Sequence, residues 1–503
     1  MLVDSHINPC LTPGTWPFLT CMLSDGMPDY LSTPGGVDVT PAWAGRQEHD
    51  AGAEEEADVH IETTGRALTR DGSRFFYLGD TAWSAFADVT PDEWTYYLDV
   101  RTGQGFNAVQ FSLLPILHDR SLNPGTDPPF DIGAVESRSH WQFNDRYFSR
   151  ALEMIDEAAS RDVICTLVVL WCSYVPDTWA AQKNPKFVMP RDVLRDYLAR
   201  CQELMRRPNV ILVASGDSAF VSPDEETFYG ELIESMKQIN PVALVGCHLQ
   251  PRSLLPAALD KLVDLFVYQS GHNANEQSLG WRLAHYYSSR VPPRPTIDME
   301  PCYEGHAFGG LQRRFTAEDV RRVVWQSLVA GATAGAGYAA HGVWQWHRTG
   351  SVFTNPSFSG MPFDWRDALH LPGAGDLALC RRIAETEGLV GATMILNGLD
   401  EPTATVSSVD KHTDGLDDVL VGIRQDPPHF GGLAYLTRGR QAVLPLSPDD
   451  ILDVRGVDLT SKQPVELAVR NDVGGGCTLS SQGFTGDLVV SWNASTRRED
   501  TMT

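Results

Sequence analysis

Residues 143–170, "FNDRYFSRALEMIDEAASRDVICTLVVL", decide how the chain folds. Residues 143–162 carry apolar side chains at helical spacing, and their last two, Arg161-Asp162, are the whole link to the apolar run at 163–170. That run, "VICTLVVL", does not alternate between apolar and polar. A strand of this kind is buried on both faces, as in a parallel sheet covered by helices on each side.

The same unit recurs along the chain. Apolar strand candidates are "RFFYLGD" (74–80), "NAVQFSL" (107–113), "VICTLVVL" (163–170), "VILVASGD" (210–217), "PVALVGC" (241–247), "DLFVYQS" (264–270), "RPTIDME" (294–300) and "AGYAAHG" (336–342). Helices between them begin at "TPDE" (90–93) and "SPDE" (222–225), where a Ser or Thr cap precedes Pro and Glu takes the third helical position. "TAEDVRRVVWQSLVAGA" (316–332) has the same helical spacing. Eight such strands in alternation with helices predict an α/β fold closed as a (β/α)8 TIM barrel, with an open doubly wound sheet as the competing arrangement. Connection lengths favour the barrel. Helix-to-strand links are as short as "GQGF", "RD", "RPN" and "INP", whereas the links after strands two, three and eight run to about twenty or thirty residues, so elaboration falls on one face.

Beyond about residue 390 the pattern changes to short alternating strands, "TATVSSVD", "DVLVGIRQD", "GLAYLTRGRQAVLPL", "PVELAVRND" and "DLVVSWNA", which predict a small antiparallel β-sandwich. The first sixty residues hold ten acids and one base, with the run "AGAEEEADVH". Residues 1–57 therefore read as an irregular acidic extension. Trp16, Phe18, Tyr30 and Trp43 give it enough aromatic surface to pad the barrel or a subunit contact instead. The expected division is 1–57 extension, 58–388 barrel and 389–503 β-sandwich.

Composition narrows the partners. The 503 residues include 65 acids and 40 bases, a formal charge of -25, which repels nucleic acid and anionic membranes. No apolar run reaches membrane-spanning length and "MLVDSHINPC" lacks the layout of an export signal, so a cytoplasmic protein is expected. Nine scattered cysteines without a C-x-x-C pair read as buried thiols. No dinucleotide or Walker glycine motif appears, so no cofactor is expected. A homo-oligomer is compatible with the sequence, which does not specify one.

With the strands ending where they are placed, the barrel mouth collects Asp80 and Trp83 from strand one, Gln110 from strand two and Trp171 from strand three. Strand four brings Asp217, strand five His248, strand six Tyr268, Gln269 and His272, strand seven Glu300, and strand eight His341, Trp344 and Trp346. Aromatic faces for the C–H surface of a ring and polar groups for its hydroxyls suit a carbohydrate. Cleaving a glycosidic bond takes one protonated carboxyl and a second, ionised one. Asp217 and Glu300 end strands three apart around the ring, which lets them share a substrate. From residue type alone, Asp217 is equally a turn aspartate after Ser-Gly. In "PTIDMEPCYEGH" (295–306), Asp298 is expected on the face of Glu300 one layer deeper, and Glu304 is expected to orient the loop or pair with an arginine such as Arg313. His272 and His341 read as polar wall, since no tight His/carboxylate spacing for a metal is present. Cys302 is a reactive-thiol candidate without a supporting motif.

"FFYLGDTAW", "GFNAVQ", the strand-four "SGD" and "DMEPCYEG" together resemble the apiosidase-like catalytic domain, glycoside hydrolase family 140. The resemblance extends in arrangement over about residues 60 to 490, and it implies a barrel followed by a small β-sandwich. It also implies Asp217 as acid/base and Glu300 as nucleophile of an exo-acting, retaining enzyme that removes a terminal furanose, apiose, from a small glycoside or pectin-derived fragment. Small Ser215 and Ser218 flanking Asp217 depart from the family pattern. The competing functions are a related pentofuranosidase or galactofuranosidase, an inactive sugar-binding barrel, and a metal-dependent hydrolase.

Overall fold

The computed structural model describes residues 60–117, 119–123, 127–130, 141–307, 313–397, 419–438, 441–472, 476–481, 484 and 486–495. The acidic segment 1–57 and the strand expected at "TATVSSVD" lie outside these residues.

Eight parallel strands form one sheet: Tyr77–Thr81, Ala108–Ser112, Ile164–Trp171, Val210–Gly216, Val245–Gly246, Phe266–Gln269, Thr296–Glu300 and Gly335–Tyr338. They are called barrel strands one to eight below. Strand eight pairs with strand one through Gly335–Tyr77 and Tyr338–Asp80, so the sheet curls back on itself. Strands five and six approach at the remaining seam, where the Asp264 amide donates to the Val245 carbonyl at 2.8 Å. The fold is thus the expected α/β barrel, and every residue of strands three and four is buried, as non-alternating sequence requires.

Helices Pro91–Gly103 and Pro223–Ile239 start where the caps predict, with Thr90 and Ser222 accepting from the amides of Glu93 and Glu225. Glu93 closes a full capping box. In the second helix, Glu225 instead accepts from the Val221 amide. The helix read at 143–162 spans Asp145–Ala159.

Two strands differ from expectation. "RFFYLGD" divides: Ser73–Phe75 joins an antiparallel sheet with Ile61–Thr64 and Ala67–Arg70, and only Tyr77–Thr81 enters the barrel. The hairpin at "RDGS" explains the break, because Asp71 (φ 51°) and Gly72 (φ 74°) both adopt the left-handed region that a tight two-residue turn requires. "PVALVGC" shortens to Val245–Gly246. The Lys237 ammonium caps the Ala243 carbonyl at 2.7 Å, and Asp264 accepts from the Val245 amide at 2.8 Å. These side chains satisfy backbone groups that a longer ladder would otherwise pair.

The C-terminal part is a six-stranded antiparallel sheet facing a three-stranded one. Leu436, Val490 and Trp492 of the first meet Leu444 and Leu479 of the second, giving the expected sandwich its own apolar core. Leu420, Leu433, Tyr435, Leu459 and Val489 continue the core of the barrel instead, and residues 58–503 form one compact unit. The described cysteines, Cys165, Cys172, Cys201, Cys247, Cys302, Cys380 and Cys477, are buried free thiols. Among the described residues no helix is long and apolar enough to cross a membrane.

Candidate active site

Asp217 directly follows strand four in a left-handed conformation (φ 53°), a geometry Asp tolerates better than most residues. Gly216 precedes it because Trp171 lies flat against the backbone there: a Cβ would sit 2.2 Å from Trp171 Cε3. The Asp217 amide donates to His248 Nδ1 at 3.1 Å. A donor aimed at Nδ1 leaves the ring proton on Nε2, and Nε2 lies 3.0 Å from Glu300 Oε2. His248 therefore links the backbone of one carboxyl residue to the side chain of the other.

Glu300 ends strand seven and is held on its other oxygen as well. Gln269 Nε2 donates to Oε1 at 2.7 Å and His272 Nε2 stands 2.9 Å from the same atom. Burial pushes the Glu300 carboxyl up, but hydrogen bonds from His248 and His272 outweigh it and hold the group at about 2. Asp217 moves the opposite way. Burial raises it well above the usual carboxylate range and the charge of Glu300 adds to the effect, with Lys183 opposing. The surroundings thus favour the ionised form of Glu300 and the protonated form of Asp217.

Both line a cavity of about 670 Å³ together with Trp83, Trp171, Trp344, Tyr303, His306, His272, Asp119 and Lys183. Trp83 donates from Nε1 to the Tyr303 hydroxyl at 2.8 Å and meets Trp171 edge-on, with centroids 5.2 Å apart. Tyr303 packs on His272 at 4.2 Å. The walls are thus aromatic faces locked against one another, with the carboxyl pair at the C-terminal ends of strands four and seven.

Of the residues expected at the mouth, Asp217, Glu300, Trp83, Trp171, Gln269, His272 and Trp344 line this cavity, and His248 stands behind the carboxyl pair. Five others do not line it. Trp346 is fully buried and stacks on Trp365, with ring centroids 4.5 Å apart. Asp80 turns outward into the helix layer, fully buried, where Arg101 Nε (2.7 Å) and the Tyr97 hydroxyl (2.6 Å) bind it. Tyr268 also faces the helices, donating to the Gly280 carbonyl at 3.0 Å. Strand alternation places both on the outer face. Gln110 lies inside the barrel below the cavity, touching the Thr81 hydroxyl and donating to the Met299 carbonyl at 2.7 Å, which ties strand two to the residue before Glu300. His341 is fully buried and accepts from Trp344 Nε1 at 3.1 Å, so it braces a cavity wall without forming one.

Asp298 does not share Glu300's face. The pairing of strands six and seven shifts between Tyr268 and Gln269, so that Tyr268 opposes Asp298 while Gln269 opposes Glu300. This bulge turns Asp298 to the helix layer, where it accepts from Ser270 Oγ at 2.7 Å and from Ser327 Oγ, on helix Ala317–Val329, at 3.4 Å. Glu304 accepts from the Tyr338 hydroxyl (2.6 Å) and the Gly373 amide (2.9 Å), whereas Arg313 pairs with Asp319 at 2.7 Å. Burial pushes the Cys302 thiol far up, which makes it an inert core group.

Sequence reading missed Asp119, Trp179, Lys183 and His306. Asp119 lies in the long link after strand two, and Trp179 and Lys183 come one helical turn apart just after strand three. Position in those links was the available signal. Among the described residues no group of three or more His, Cys, Asp or Glu side chains is placed to hold a metal ion.

The chain is a (β/α)8-barrel glycoside hydrolase. A solved glycoside hydrolase superposes with a TM-score of 0.65 at 18% identity, covering 88% of this chain and 98% of that chain. A glycoside hydrolase family 5 protein from Bacteroides vulgatus superposes with a TM-score of 0.66 at 19% identity, covering 89% and 94%. Both likenesses are of fold. The family model "Apiosidase-like, catalytic domain" matches residues 62–390, and the chain belongs to that family. The comparison with curated proteins gives no match.

Proposed function

We propose that the chain is an exo-acting glycoside hydrolase that removes a terminal furanose, apiose in keeping with its family, from a small glycoside or pectin-derived oligosaccharide. The observation that carries this reading is the opposed protonation of two carboxyl groups across one aromatic-walled cavity: Glu300 held at about 2, Asp217 raised well above its usual range. Asp217 then protonates the departing glycosidic oxygen while Glu300 attacks the anomeric carbon, and the Asp217 carboxylate left behind takes a proton from the water that releases the sugar. The hydrogen-bonding grip on Glu300 suits a nucleophile. It fixes the attacking oxygen, and a carboxylate so strongly stabilised is a good leaving group in the second displacement.

The test is hydrolysis of a panel of apiosides, arabinofuranosides and galactofuranosides with analysis of the first-formed anomer. Release of the retained anomer of a furanose supports the reading. Turnover of none of them overturns it, and release of the inverted anomer would make Glu300 the base for water. Both the proton and the nucleophile come from side chains, so treatment with a chelator is expected to leave the rate unchanged.

A further inference from the structure

Besides Asp217 and Glu300, two carboxyl groups line the cavity, Glu276, which pairs with Arg252, and Asp119, and the double displacement uses neither. Asp119 sits on the loop after strand two and is 9% exposed. Its Oδ2 accepts from Ser359 Oγ at 3.3 Å, while its Oδ1 is buried without any hydrogen-bond partner. A buried oxygen left unpaired is costly, and the wall of a binding cavity is where a ligand supplies the missing partner. The loop has anchors besides Asp119. Arg120 anchors it through Asp88 at 3.1 Å, and Ser121–Leu122 pairs with Val352–Phe353 from the link after strand eight.

We propose that Asp119 is a substrate-binding residue that determines specificity, presenting its carboxyl group to a hydroxyl of the sugar bound between Asp217 and Glu300. The identity of the ligand as a sugar rests on the hydrolase reading above; the unpaired carboxyl edge in the cavity does not. The charged groups that face Asp119 are Glu300 on strand seven and Lys183 on helix Trp179–Lys183, with the Ser359 hydroxyl from helix Pro356–Ser359. Burial, reinforced by the charge of Glu300, pushes the Asp119 carboxyl up to about 8. Around neutral pH the group is therefore an acid, whose O–H donates to a sugar oxygen and whose carbonyl accepts from a sugar hydroxyl. At higher pH it loses the donor and becomes an anion facing Glu300, so affinity falls.

The experiment compares wild type, Asp119→Asn and Asp119→Ala. Rates are measured on para-nitrophenyl apiofuranoside and arabinofuranoside, and affinities for the methyl furanosides are read from tryptophan fluorescence, since Trp83 and Trp171 line the cavity. Asp119→Ala is expected to raise KM on the order of tenfold with a much smaller change in kcat. Asp119→Asn retains an N–H donor and a carbonyl acceptor and is expected to recover most of that affinity. The wild-type KM should climb above about pH 8, and that limb should vanish in Asp119→Asn. An unchanged KM in Asp119→Ala, or a limb that persists in Asp119→Asn, overturns the proposal, as does a loss confined to kcat. If Asp119→Ala does not fold, the pH limb of Asp119→Asn decides. Should wild type bind methyl furanosides without cleaving any glycoside, the hydrolase reading fails and the affinity ratios still judge Asp119. Neither binding nor cleavage overturns both.

Discussion

Glu300 keeps its charge inside the barrel because three side chains pay attention to two oxygens: Gln269 and His272 at Oε1, His248 at Oε2. At Asp217 burial and the charge of Glu300 act in the same direction, with Lys183 opposing, and favour the protonated form. Removing each carboxyl should therefore have a different signature. Glu300→Gln is expected to abolish turnover while leaving the fold and Tm close to wild type. Asp217→Ala should lose about 10²–10⁴ in rate on substrates with a poor leaving group and far less on para-nitrophenyl glycosides, with azide restoring part of the loss. The pH profile follows from the same two shifts. Glu300 must be ionised, so the acid limb falls only towards about 2 unless unfolding intervenes first. In the proposed mechanism Asp217 must be protonated, so activity extends above the pH at which an ordinary aspartate ionises before it declines. A bell displaced to a normal carboxylate range, measured as kcat/KM against pH, would remove Asp217 from the acid role.

At the scale of the element, strand seven does more than end at the mouth. Its bulge sends Asp298 to the helices and Glu300 to the cavity, although the two residues are separated by a single position that ordinary alternation would place on one face. The neighbouring strand eight accommodates this through Gly337, whose missing Cβ would lie 2.2 Å from the Met299 carbonyl. Gly337→Ala must push strand seven aside just before Glu300. The expected cost is about 1–3 kcal/mol of stability, from strain of the overpacking kind, together with a fall in kcat larger than the change in KM. Denaturant melts and steady-state rates check the two halves, and a variant with wild-type kcat would show that the bulge is not what positions Glu300.

Across the whole molecule, the sandwich is joined to the barrel through helix Ala317–Val329. Arg322 on that helix lies 3.4 Å from Asp487, which also accepts from the Tyr435 hydroxyl at 2.6 Å, and Arg322 and Asp487 are both almost completely buried. Gly422 of the sandwich meets the Val329 carbonyl so closely that a Cβ would sit 2.3 Å from it. Arg322 is also held by Glu318 at 2.7 Å and Asp319 at 3.5 Å, so removing Asp487 leaves the guanidinium paired but takes the acceptor from the buried Tyr435 hydroxyl. Asp487→Ala is accordingly expected to cost about 1–3 kcal/mol and to lower the stability of barrel and sandwich together, seen as a single transition at reduced denaturant in both tryptophan fluorescence and circular dichroism. Two separated transitions in the wild type would refute this coupling.

The sequence by itself determined the barrel, its sandwich and the placement of Asp217 and Glu300 at strand ends, because each is local: non-alternating apolar runs mark strands buried on both faces, and acids directly after such runs mark strand ends. Trp83, Trp171, His272 and Trp344 were legible for the same reason. Only the tertiary structure decided which way the remaining residues face. Asp80 and Tyr268 follow the outward half of their strands' alternation, a phase that strand sequences apolar on both sides do not reveal. Asp298 is turned by a bulge that depends on the partner strand's register, and Asp119 reaches the cavity from a long loop whose path is fixed by pairing with residues more than two hundred positions away. Proton placement belongs with these: His248 is fixed by the Asp217 amide and stands against Glu300, so the charges of the carboxyl pair are set by contacts that exist only once the barrel has closed.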